Sequence, residues 1–64
     1  MTNLKRLREQ SGLSQSKLAE KADVKYTAIR DYEQDHKPIN KASAITVYKL
    51  SVALGCKMEE LLEL

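Results

Sequence analysis

An all-α fold, a compact bundle of five helices forming one domain over residues 1–64, is predicted for this chain. Apolar residues recur every three or four positions through most of it, and no stretch alternates apolar and polar residues as a half-buried strand would. Residues that cap or end helices stand where each apolar run stops. A first helix is expected from about Asn3 to Ser11, with Thr2 as its cap, Leu4 and Leu7 on its inner face and Gly12 as its stop. Ser14 is a good cap for a second helix, Gln15 to about Ala22, because its hydroxyl can accept from an unpaired backbone N–H. Asp23-Val24-Lys25 reads as a turn, and a third helix follows from about Tyr26 to Gln34.

Asp35 to Ile39 reads as a polar loop around Pro38, which lacks an N–H and disfavours helix in the residue before it. Asn40 is the expected cap of a fourth helix, with Ile39 and Ala44 as a hydrophobic staple. Ala44, Val47, Tyr48, Ser51 and Leu54 give that helix an apolar stripe, widened by Leu50 and closed by Gly55. Met58, Leu61 and Leu62 predict a short fifth helix.

A chain of 64 residues buries only about 60% of its unfolded surface, so its core is small. Cys56 is the only cysteine, which excludes an internal disulfide and points to a reducing, cytoplasmic setting. No apolar run approaches the length of a membrane span, and no signal peptide opens the chain. The opening Met1 and the short tail fit a complete chain. The net charge of +2 is unevenly placed: residues 1–50 carry ten Lys/Arg against six Asp/Glu, while Glu59, Glu60 and Glu63 outnumber Lys57 in the rest. A basic body with an acidic end suits a polyanion on one side, although a solvated surface of mixed charge explains it equally simply.

Residues 15 to 34, QSKLAEKADVKYTAIRDYEQ, carry the most information. Leu18, Ala22, Val24, Ile29 and Tyr32 are apolar where two crossed helices must bury contact, and Ala19 is small where they pass closest. The second helix of such a pair can lie in the major groove of DNA.

The stretches LKRLREQSGLSQSKLAEKADV, IRDYE and VYKLSVALGC, running into MEELLEL, resemble the XRE/Cro family of helix-turn-helix DNA-binding domains, the lambda-repressor-like fold of small phage repressors. The resemblance implies a regulator of transcription, usually a repressor, with double-stranded DNA as its partner and no cofactor, metal or catalysis. Three positions depart from the family's pattern: Asp23 stands where the turn usually has glycine, Lys25 where helix 3 usually opens on a small hydroxyl residue, and the loop from Gln34 to Asn40 is longer than usual.

By that resemblance Tyr26, Thr27 and Asp31 face bases, and Arg30 is turned the same way. Thr can pack on a thymine methyl, Asp can accept from cytosine N4 and Arg can read guanine or hold a phosphate. A plain solvated helix face is the competing reading for all four. Gln15 matches a phosphate-bonding position, beside Ser14, and Lys25, Lys37 and Lys41 flank the recognition helix as further phosphate contacts. Arg8 and Glu33 match a family ion pair between helices 1 and 3. Family members often pair through the C-terminal part, which implies a homodimer through Cys56, Met58, Leu61, Leu62 and Leu64.

A lone His36, a lone Cys56 and the Glu59-Glu60 pair show neither metal-ligand spacing nor a nucleophile with its base. No enzyme and no small-molecule site is therefore expected. The alternative class is a protein-interaction module that keeps the fold without using DNA, which the modest charge and Asp31 favour.

Overall fold

Four α-helices, α1 (Asn3–Gln10), α2 (Gln15–Ala22), α3 (Tyr26–Glu33) and α4 (Ala44–Leu54), and two single 3-10 turns at Ile39–Lys41 and Met58–Glu60 make up the computed structural model, which describes all 64 residues. Local chemistry sets the first three boundaries. Thr2 Oγ1 accepts from the Lys5 N–H at 3.1 Å, and Ser14 Oγ accepts from the Lys17 N–H at 3.1 Å, so each side chain satisfies a first-turn donor. α2 ends on Asp23, which adopts a left-handed conformation with φ +56°, and the Val24 N–H then closes the turn on the Ala19 carbonyl at 3.1 Å. Lys25 precedes α3 without any side-chain cap.

Leu4, Leu18, Ile29, Leu50 and Leu61 are completely buried. They come in turn from the four helices and from the residue after the second 3-10 turn, so every part of the chain drives one large apolar side chain into a shared centre. Each such burial stabilises the fold by about 2 kcal/mol. Ala19 and Ala22 are buried on α2, and their size lets α3 and α4 pack against it. Val24 and Tyr32 are half-buried against this centre.

The second half of the chain departs from the sequence reading in three ways. Asn40 does not cap α4. Ser43 does, accepting from the Thr46 N–H at 3.3 Å and sharing a hydroxyl contact of 2.8 Å with Thr46, while Ile39 is buried in the core instead of stapling the exposed Ala44. The inner face of α4 is made by Leu50 with Val47, Ser51 and Ala53, and Leu54 is half-buried at its end; Tyr48 is more than half exposed. Finally, the fifth helix is only one 3-10 turn. Leu61 drops into the core directly after it, and residues 62 and 63 are then drawn into hydrogen bonds with Asn3 and Asn40, which leaves no room for another helical turn.

Candidate nucleic-acid interface

α3 is held from behind by a buried charge network. The Glu33 side chain is 2% exposed and that of Arg8 11%. Arg8 Nε donates to Glu33 Oε2 at 2.6 Å and Nη2 to Oε1 at 3.0 Å, a two-point pairing of planar groups. Arg8 Nη1 also donates to the Leu13 carbonyl at 2.7 Å. The carboxylate raises the Arg8 pKa above its ordinary value through that hydrogen bonding, against the opposing effect of burial. Gln15 Nε2 adds a third donor to Glu33 Oε1 at 3.0 Å. One carboxylate thus ties α1, the following loop and the start of α2 to the end of α3.

Gln15, expected at a phosphate, therefore spends one amide hydrogen on this network, and its other hydrogen is the one left for an outside acceptor. Ser14 has its oxygen engaged as the α2 cap and keeps its hydroxyl hydrogen to donate. Leu13 was not legible as a participant, because a backbone carbonyl carries no sequence signature.

Tyr26 and Thr27 are exposed at the front of α3, and Arg30, one turn further along, keeps 43% of its side chain in solvent. These three positions share one face of the helix. Asp31 is different. Its side chain is 18% exposed, with Arg30 Nη2 at 3.5 Å, His36 Nδ1 at 3.7 Å and Lys37 Nζ at 4.0 Å from the carboxylate. Its backbone carbonyl accepts the N–H groups of His36 (2.9 Å) and Lys37 (3.3 Å). Asp31 is thus drawn toward its own loop, where the Arg30 and Lys37 charges offset its own; these contacts compete with a role as acceptor from a base. Lys25, before the start of α3, and Lys37 and Lys41, in the connection after its end, are all exposed. The whole arrangement is an exposed polar helix face, edged by cations and mounted on a rigid apolar support.

A family model described as Helix-turn-helix, HTH_3, matches residues 4–61. The chain belongs to this XRE/Cro-type family. No curated protein and no solved structure matches it. Membership makes the chain a DNA-binding domain of lambda-repressor-like fold, a non-catalytic kind of domain. The matched residues span α1 to α4 and run on to Leu61.

Among the residues expected to pair two copies of this HTH_3 domain, Leu61 is fully buried and cannot meet a partner. Cys56 and Met58 are half-buried against the core, Leu62 is half-buried, and only Leu64 is open, at 98%. The apolar spacing in MEELLEL marks an inner face, and the domain's own core takes it. Burial, helped by the nearby Glu60 charge, pushes the Cys56 thiol above its usual pKa, which disfavours the thiolate form. No helix is long and apolar enough to cross a membrane, and no three His, Cys, Asp or Glu residues stand close enough to hold a metal ion.

Proposed function

We propose that this domain is a sequence-specific transcriptional regulator, acting as a cytoplasmic repressor that occupies its operator as a homodimer. α3 enters the major groove. Tyr26, Thr27 and Arg30 meet base edges, and Asp31 lies beside them with its charge offset by its own loop. Ser14, Gln15, Lys25, Lys37 and Lys41 hold phosphates, supplying affinity but no sequence choice. The observation that carries this reading is the exposed row of Tyr26, Thr27 and Arg30 on a helix whose back is locked by Glu33. One domain of this size reads a few base pairs, so a near-palindromic site with half-sites roughly 34 Å apart, or a multiple of that, is the matching target.

Binding of a fluorescently labelled genomic DNA fragment, measured across salt concentrations, tests the proposal. Three lysines at phosphates, Lys25, Lys37 and Lys41, predict a steep fall in affinity, with a slope of log K against log salt of roughly −3 per domain. Absence of binding at low salt would reject it. A second reading, a protein-interaction module, draws support from the outer face of α4, where Ile45, Tyr48 and Val52 are each more than half exposed. That reading expects no salt-dependent DNA affinity.

A further inference from the structure

We propose that Asn40 is a positioning residue for DNA binding, its carboxamide clamping the first 3-10 turn, and with it Lys41, to residues 62 and 63. The inference rests on the DNA-binding reading above and extends it to a residue outside the recognition helix.

The clamp is reciprocal. Asn40 Nδ2 donates to the Glu63 carbonyl at 2.8 Å, and the Glu63 N–H donates to Asn40 Oδ1 at 2.8 Å. The side-chain amide thus pairs with a backbone unit as a second strand would. The far side of that unit is fixed as well: the Asn3 N–H donates to Glu63 Oε2 at 2.7 Å, and Asn3 Nδ2 donates to the Leu62 carbonyl at 2.8 Å. Residues 62 and 63 therefore bridge the start of α1 to the 3-10 turn at Ile39–Lys41. Ile39 and Leu61, just before the bonded residues on each side, are buried. Each segment is pinned inward by one apolar side chain and outward by the amide pair.

Lys41 follows Asn40 directly and is exposed, and Lys37, also exposed, lies three residues before Asn40. The rest of the long connection from α3 to α4 is held by the bonds of His36 and Lys37 to Asp31 at its start, and by buried Ile39 and half-buried Ala42 near its end; at Asn40 and Lys41 the side-chain bonds are those of Asn40. The Asn40 bonds are solvent-exposed. Losing them loosens this connection locally, while the buried centre that sets global stability stays intact. A residue that merely supported the fold would behave in the opposite way.

The test compares wild type with Asn40→Ala on one labelled duplex, selected from a random pool by the wild type, between 50 and 200 mM salt. The proposal expects Asn40→Ala to fold with a nearly unchanged melting temperature and to select the same bases. Its slope of log K against log salt falls by about one unit, the share of one phosphate contact. An unchanged slope and affinity, or a changed base preference, would overturn it. Asn3→Ala removes the bond to the Leu62 carbonyl and the one that Asn3 Oδ1 accepts from Arg6 Nη2 at 3.3 Å, keeps the backbone bond to Glu63 Oε2, and keeps the wild-type slope; an equal loss there would remove the specific role of Asn40. Should Asn40→Ala not fold, hydrogen exchange of the Glu63 amide in the wild type decides. Exchange slows in the DNA complex if clamp and binding are coupled, and an unaltered rate overturns the coupling. A wild type that binds no duplex at low salt would instead defeat the underlying DNA-binding reading.

Discussion

Glu33 is the side chain on which the placement of α3 turns. It is buried, it takes three hydrogen bonds, and its charge is matched only by Arg8. Removing either partner strands the other charge, which costs more than the pair contributes in balance. Glu33→Ala is expected to destabilise the domain by about 3 kcal/mol, which lowers its melting temperature by on the order of 15 °C for a domain of this length. Thermal melts followed by circular dichroism check this, and a melt within a degree or two of wild type would contradict it. Replacing both residues with apolar ones of similar size, Arg8→Met with Glu33→Leu, should cost far less than either single change. Arg8 and Glu33 could be matched by resemblance to a family pair. Gln15 as third member, and Asp31 facing His36 and Lys37, could not be foreseen, since both depend on how close separate segments come in space. The exposure of Tyr26 and Thr27 was legible, because the apolar positions Ile29 and Tyr32 fix which way α3 faces.

Between α2 and α3 the chain turns on Asp23, whose φ of +56° lies where side chains are normally excluded. Aspartate tolerates this region better than most residues, yet glycine enters it without steric cost. The Asp23 side chain is 96% exposed and lies 3.7 Å from Lys49, a surface contact of little weight. Asp23→Gly should therefore stabilise the domain by about 0.5 to 1 kcal/mol, raising the melting temperature by roughly 2 to 8 °C. A fall in melting temperature would show that the Lys49 contact outweighs the backbone strain. The boundaries of α2 and the start of α3 were readable because Ser14 and the Asp23 turn act on neighbours a few residues away. The start of α4 was not. Asn40 and Ser43 are both good caps, and the choice between them is made by Glu63, which occupies the Asn40 amide from 23 positions along the chain. The fifth helix failed for a related reason: the spacing of Met58, Leu61 and Leu62 fits a helix, but Leu61 is already in the core after a single turn.

The whole domain measures 23 × 22 × 21 Å over its Cα atoms. A body this small offers one exposed polar helix face; the five buried side chains and the Glu33 network behind it hold α3 still, and the Asn40 bonds hold the connection that follows it. Selection of bound duplexes from a random pool by wild type and by Thr27→Ala tests most directly whether that face reads DNA. The expected wild-type result is a near-palindromic site. Thr27→Ala should select the same site with relaxed preference at one position in each half, corresponding to a loss of about 1 to 3 kcal/mol of discrimination there. No enrichment of any duplex by the wild type, or an identical site with undiminished preference for the variant, would contradict the placement of α3 in the groove.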